Sequence, residues 1–432
     1  MAQFISGPLL AVSTNSPLLF GKRLWKETRI ALFQQSVDIR STHDLIRQRS
    51  PRVSFGTRWV GKSIIDVYQE DIVRYKILLS NKIEIDSLKQ LQKGKIPTLD
   101  ALRVHNSTIY KWNRPCVGVN DEKAHIRIEN RLLPSGPSVV DQVANSAFWF
   151  GMMAFVPEEY KNISGIFDFD DAKSNLLRAA RLGIDAQIKW TDGKKYPARE
   201  VVMDILIPIA KKGLSQKGIQ PGDIDKYLGI IEGRTKTGKT GSRWILNSFN
   251  KLKNEGSVNE ALVATTAGIY HRQRNVLPVH LWDSAQITEA GSWINYYWRI
   301  DQIMSTDLFT VQEDDYIDLV ASIMNWRNVR HVPVENKYGN LVGLITSGLL
   351  VKYLFETRRN PEKQRSVKDI MIRNPHAISP ETLTRRALEM MKKYKVGCLP
   401  VVKNNKLVGI VTEHDFVDIS YRLIKELSAD ID

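Results

Sequence analysis

His125, Arg127, Glu129 and Arg131 alternate with Ile126, Ile128 and Asn130. Successive side chains of an extended strand point to opposite faces, so the four ionisable groups share one face. Such a face needs water, charged partners or a ligand. It suits either an anion-binding site or a solvated edge strand with cross-strand ion pairs, and Ile126 and Ile128 on the other face allow the second reading. Thr412 and Asp415 form another candidate pair. They stand three apart just after the apolar run Val408–Val411, the pattern of a capping box. A third stretch, Gly233 to Thr240, satisfies G-x-x-x-x-G-K-[ST], which can cradle phosphate when a buried strand precedes it and a helix follows. Here Tyr227, Leu228, Ile230 and Ile231 predict a short helix ending at Gly233 instead. Ser242 or Thr240 then caps a helix around Trp244, Ile245, Leu246 and Phe249. No strand ending in Asp follows, so we expect a mobile basic loop over a ligand rather than a phosphate loop.

The elements that must position these groups can be read coarsely. Arg178 and Arg181 lie three apart on a helix over Leu176–Leu182 and share its face. Asp141–Asn145 opens another helix, whose Phe148, Trp149 and Met152 read as core. Arg29 follows Lys22 and Arg23. A chain of 432 residues implies two or three domains, and 43% hydrophobic residues suffice for sizeable cores. Lys and Arg exceed Asp and Glu by 62 to 47, but the basic residues are dispersed and no nucleic-acid motif accompanies them. We expect basic pockets for small anions, with no nucleic acid or membrane as partner. Two cysteines, Cys116 and Cys398, fit a reducing, cytoplasmic setting and have no zinc-ligand spacing. The apolar stretch Phe4–Phe20 lacks preceding Lys or Arg and is broken by Pro8, Asn15 and Pro17, which argues against a signal peptide. It reads as an internal core helix.

The C-terminal third repeats itself. Met304 matches Met371, Met324 matches Met391 and Pro333 matches Pro400 at an offset of 67; Gly343 matches Gly409 and Thr346 matches Thr412 at 66. The slip falls in a turn, where length changes are tolerated. Each copy predicts a short strand (Leu308–Val311; Ala377–Ser379), a helix (around Ile317–Met324; around Ala387–Met391), two strands (Val332–Val334 and Leu341–Ile345; Leu399–Val402 and Leu407–Val411) and a last helix. One copy is too small for a good core, so the two should pack together.

Val342-Gly343-Leu344-Ile345-Thr346 and Val408-Gly409-Ile410-Val411-Thr412-Glu413-His414-Asp415 resemble the CBS domain pair, with repeats at 300–356 and 367–422. The resemblance implies an adenine nucleotide (AMP, ADP or ATP) whose ribose meets the Thr and Asp after the strand. A helix N-terminus suits phosphate, and a carboxylate accepts from ribose hydroxyls. In the first repeat Leu349 stands where Asp would sit, so Thr346 lacks its partner. We therefore expect the site at Thr412 and Asp415, with Val396, Gly397, Cys398 and Leu399 as the adenine-side wall. Capping and ribose binding can coexist there. A homodimer through the CBS pair is also implied.

Residues 1–285 resemble the second family of glutamate–cysteine ligases. The matching stretches are Leu10–Pro17 with Gly21–Arg29, Arg127–Arg131, and Lys173–Gly183. The implied fold class is α+β, with part of a glutamine-synthetase-like antiparallel sheet and helices, followed by a connector at 286–299 and the CBS pair of two βαββα repeats. The implied chemistry is ATP-dependent phosphorylation of the glutamate γ-carboxylate and attack by an amine such as cysteine, with Mg2+ neutralising phosphate charge. By matching position Glu129 would be a metal ligand. Arg131 and Arg29 would face phosphate or carboxylate, and Arg178 is a further catalytic candidate. The family's Glu-x-Glu strand and His-x-His segment precede the Asn-Ser-Pro stretch, so the chain reads as the second half of a ligase domain. Two outcomes follow: a ligase tuned by nucleotide, or an inactive half-ligase serving as a nucleotide-sensing or dimerisation module.

Overall fold

Ser6–Ser13, inside the apolar opening stretch, is helix α1, and every one of its residues is buried. A helix apolar on all sides must be covered on all sides. The computed structural model that shows this describes residues 1–42, 50–61, 63–80, 86–120, 123–291, 297–357 and 366–429. The middle of the expected connector, 292–296, lies outside them. The chain forms two compact units, Met1–Ala290 and Gly291–Asp432.

In the first unit α2 (Thr28–Ser36), α3 (Ile65–Arg74) and α4 (Asp100–Ser107) precede the hairpin β1 (Asn113–Asn120) and β2 (Lys123–Asn130). Then come α5 (Val139–Ala154), α6 (Phe169–Leu182), α7 (Ile207–Gln216), α8 (Pro221–Thr237), α9 (Gly241–Leu252) and α10 (Val258–Arg274). Phe4, Leu10, Phe148, Met152 and Leu176 share its main core. The antiparallel sheet expected here is present, among the described residues, only as separate two-stranded pieces, of which β1–β2 is the longest and one is parallel. Helices, rather than further strands, supply the packing partners.

Two expectations for the Gly233–Thr240 stretch need correction. The helix does not stop at Gly233; α8 runs through it to Thr237, and Gly238 takes the left-handed conformation at φ +67°. The stretch is also no basic loop, because Arg234 and Thr235 are buried. Thr240 does cap α9, accepting from the Arg243 N–H, and no phosphate cradle is formed.

In the second unit β3 (Val311–Gln312), α11 (Ile317–Arg327), β4 (His331–Glu335), β5 (Leu341–Thr346) and α12 (Ser347–Thr357) make the first repeat. The second has β6 (Ile372–Arg373), α13 (Thr384–Tyr394), β7 (Cys398–Lys403), β8 (Lys406–Thr412) and α14 (Glu413–Ala429). The opening strands are shorter than expected: β3 holds two residues, and 377–379 contributes only the bridge of Ile378 to Val401.

The repeats exchange strand partners. β6 pairs with β5 of the first repeat through Ile372 and Leu344, and Ser305 bridges reciprocally to Ile410 of β8. The glycines at the crossing sit tightly against methionines. A Cβ on Gly343 would collide with Met371 Sδ, and one on Gly409 with Met304 Sδ. Methionine can yield, so Gly409→Ala is expected to destabilise this unit by about 1–2 kcal/mol. Gly343→Ala should cost the same within about 1 kcal/mol, since the contacts are equivalent. Urea unfolding of both variants checks this, and an unchanged midpoint in either would refute it.

Candidate functional sites

Glu129 sits on β2 directly opposite Arg114 of β1. Arg114 Nη2 donates to Glu129 Oε2 at 2.6 Å, and Arg131 Nε lies 2.8 Å from Oε1. Cys116 Sγ adds a third contact, donating to Oε2 at 3.4 Å. Burial alone would raise the carboxyl pKa, but the Arg114 hydrogen bond and the two guanidinium charges hold it below the usual carboxylate range. Burial pushes the Cys116 thiol up, so it stays protonated as a donor.

Arg29 joins from α2. Its Nη2 donates to the carbonyls of Arg131 (3.1 Å) and Leu132 (2.6 Å). Glu27 anchors it from below, 3.4 Å from Arg29 Nε and fully buried. The Asn15-Ser16 pair explains how Glu27 survives there. Asn15 N–H and Ser16 Oγ donate to its two oxygens at 2.8 and 2.6 Å, which replaces lost water. Arg29 stacks over Trp112 and Arg131 over Tyr110. Arg131 therefore links the other two, its side chain to Glu129 and its carbonyl to Arg29. Arg178 lies on α6 with its buried Nη1 lacking a hydrogen-bond partner, and among the described residues no hydrogen bond or ion pair joins it to the other three. Sequence reasoning missed Arg114, Cys116, Tyr110 and Trp112. The alternation Arg114-Pro115-Cys116 could have suggested the partner strand, but only the hairpin register puts Arg114 across from Glu129.

The second site lies in the repeat unit, around a cavity of about 540 Å3. Repeat one gives it Phe309, Arg330 and His331; repeat two gives Gly397, Thr412, His414 and Asp415. Asp415 Oδ2 accepts from the Thr412 N–H at 2.7 Å and from its hydroxyl at 2.9 Å. Half of the capping box is thus realised, the Asp415 carboxylate accepting from the Thr412 N–H, and both residues also line the cavity. Burial, chiefly, pushes the His331 pKa down, against Glu413 and with Arg330, so its ring is neutral. Thr346 accepts from the Leu349 N–H at 3.3 Å and lies outside this cavity's lining.

The wall expected at Val396–Leu399 needs correction. Only Gly397 lines the cavity. Leu399 is wholly buried in the repeat-two core, with Val396 packed against that core. Cys398 packs between Leu344 and Ile410, and burial pushes its thiol up to about 12. Asn328–His331 of the other repeat takes the wall's place, because the bridge between Ser305 and Ile410 lays repeat one beside Thr412. The 67-residue offset maps Val329 onto Val396 and His331 onto Cys398. That signal was available, but using it required knowing that the copies exchange partners.

Among the described residues no three His, Cys, Asp or Glu side chains gather as a metal site, and no helix is long and apolar enough to cross a membrane. The profile of the CBS domain matches residues 300–356 and 367–422. That of glutamate-cysteine ligase family 2 matches residues 1–265. A CBS domain-containing protein of Dictyostelium discoideum is 30% identical over 135 residues, 29% of this chain and 93% of that protein. An uncharacterized protein of Rickettsia prowazekii is 33% identical over 126 residues, 28% of this chain and 37% of its own length. The crystal structure of CBSX2 in complex with AMP shares 21% identity at a TM-score of 0.27, covering 29% of this chain and 98% of that one. The match over 265 of the 432 residues shows that the chain belongs to glutamate-cysteine ligase family 2, and in sequence its ligase-family unit is followed by a tandem pair of CBS domains.

Proposed function

We propose that the CBS pair binds one adenine nucleotide at Thr412 and Asp415, and that its occupancy tunes an ATP-dependent carboxylate–amine ligation by the family 2 unit. The supporting observation is the cavity of about 540 Å3 that sets Thr412 and Asp415 beside Arg330 and His331. In this reading Asp415 accepts from ribose hydroxyls, Arg330 supplies a cation for phosphate, and Val329 and the neutral His331 offer the base a weakly polar wall. Calorimetry with AMP, ADP and ATP tests it. Thr412→Ala is expected to weaken binding about tenfold, and Asp415→Ala by at least as much. Thr346→Ala should leave it unchanged. Binding indifferent to both repeat-two changes would sink the site.

In the ligase unit Arg29, Arg131 and Arg178 are the candidates for phosphate or the glutamate carboxylate. Arg29 and Arg131 fit that task, since each is partly buried and, among the described residues, Nη1 of Arg29 and both Nη groups of Arg131 make no hydrogen bond. Glu129 fits magnesium poorly. Arg114 and Arg131 already occupy it, and no further acidic groups gather beside it among the described residues. Magnesium at Glu129 therefore forms no part of this reading. The same observation favours a second reading, in which this chain is a non-catalytic nucleotide-sensing or dimerisation module. ADP release with glutamate and cysteine separates the two. Turnover abolished by Glu129→Gln supports the ligase, while a folded chain without turnover supports the module. A homodimer through the CBS pair belongs to both readings. The exposed Val351, Leu354 and Phe355 of α12 and Val417 and Tyr421 of α14 support it, and sedimentation of the full chain tests it.

A further inference from the structure

A small cleft lies where α3 and α4 cover the β1–β2 hairpin. Its volume is about 120 Å3, and Tyr68, Arg103, Asn106, Arg114, Cys116 and Arg127 line it. Two polar atoms in its wall are buried without a partner: the hydroxyl of Tyr68 and Oδ1 of Asn106. Both residues are only 7% exposed. Orphaned polar atoms at that depth are costly, and a native structure usually satisfies them with water or a ligand.

The charge of the lining narrows the choice. Arg114 is spent on Glu129 and on the Asn106 and Ile109 carbonyls. Arg127 is not. Among the described residues no carboxylate comes within ion-pair distance of it, and its Nη1 meets only His125 Nε2 at 3.2 Å. Arg103 reaches Asp100 only at 3.5 Å, as an exposed i,i+3 pair. Two guanidinium groups and a phenol donor thus face one cleft whose lining holds no acid, while Glu129 and Asp71 nearby are already paired with Arg114 and Lys111. The Cys116 thiol next to it is bound to Glu129 and offers no negative charge.

We propose that this cleft binds the oxyanion group, carboxylate or phosphate, of a small metabolite. Arg127 and Arg103 supply charge, and the Tyr68 hydroxyl donates the buried hydrogen bond. Asn106 Oδ1 would accept from a hydroxyl or ammonium beside the oxyanion. The site is separate from the nucleotide cavity, and this inference does not depend on that reading.

The full chain is titrated calorimetrically with inorganic phosphate and, separately, with succinate. Saturable binding of one of them is expected, and whichever binds identifies the oxyanion. Tyr68→Phe removes a single buried donor, keeps the ring, and should weaken that binding about tenfold. Arg127→Gln, at an exposed position that need not affect folding, should weaken it at least as much. Thr412→Ala is the control: binding lost there belongs to the nucleotide cavity and counts against this cleft. Failure of both anions to bind, or binding indifferent to Tyr68→Phe and Arg127→Gln, overturns the proposal.

Discussion

Arg234→Met is expected to destabilise the first unit by about 3–5 kcal/mol, the cost of breaking a buried ion pair from one side. Arg234 is 1% exposed and its partner Asp141 is fully buried, with Nε 3.5 Å from Asp141 Oδ1. The guanidinium also donates to the Val12 carbonyl at 3.1 Å, to Asn145 Oδ1 at 2.8 Å and to the Asp141 carbonyl at 3.3 Å. One side chain of α8 therefore ties together α1 and α5. Burial pushes its pKa down and the Asp141 charge opposes this, as expected when a charge is kept in the interior by its partner. Methionine would fill much of the volume but leave Asp141 held only by Ser138 Oγ (2.6 Å) and the Val279 N–H (3.0 Å). The measurement is urea unfolding of the full chain, followed by the tryptophans of this unit. A loss under about 1 kcal/mol would show that the pair is dispensable. Adding Asp141→Leu to Arg234→Met should recover part of the loss, because the orphaned carboxylate carries much of the penalty.

Gly213→Ala should rank next. Helices α5 and α7 meet at Gly151 and Gly213, where a Cβ on Gly213 would overlap the carbonyl oxygen of Gly151. The obstacle is backbone, so no side chain can turn away, and α7 must separate from α5. Overpacking of this kind costs about 1–3 kcal/mol and more where relief is denied; we expect the upper end. Gly151→Ala meets the Ala210 carbonyl at 2.5 Å and should behave alike. Thermal unfolding distinguishes this from a surface glycine such as Gly222, whose added Cβ meets nothing. Equal shifts for Gly213→Ala and Gly222→Ala would refute the packing argument.

How far the sequence revealed this molecule depended on how local each signal was. The strand at His125–Arg131 was legible because period-two alternation is a property of a few residues. Its partner was not, since Arg114 meets Glu129 only through hairpin register. The tandem repeat was legible as self-similarity, but the cavity wall was assigned to the wrong copy, because strand exchange between repeats leaves no mark in either one. The boundary at α8 failed for an energetic reason. Gly233 reads as a stop, and glycine does cost about 1 kcal/mol within a helix. Here a Cβ would lie 2.5 Å from His280 Nε2, so glycine permits close packing, and burying Arg234 and Thr235, the next two residues, carries the helix onward. The resemblance implied only part of an antiparallel sheet for the first unit, and among the described residues its strands stand as separate two-stranded pieces.

The exchange of partners between the two CBS repeats also bears on how they can change over time. Met304 lies over Gly409 and Met371 over Gly343, so each copy completes a surface of the other. A duplicated segment ordinarily frees one copy to drift. Here a substitution at either crossing touches both halves, and each half alone would lack the strand contact that the other supplies. The length difference between the copies falls in the β4–β5 and β7–β8 turns, outside the crossings, where it leaves strand register intact. The copies also differ in the residues that follow Thr346 and Thr412, Ser347-Gly348-Leu349 against Glu413-His414-Asp415. This is how two copies of one scaffold can stay structurally bound to each other while only one of them has an Asp where the other has Leu349.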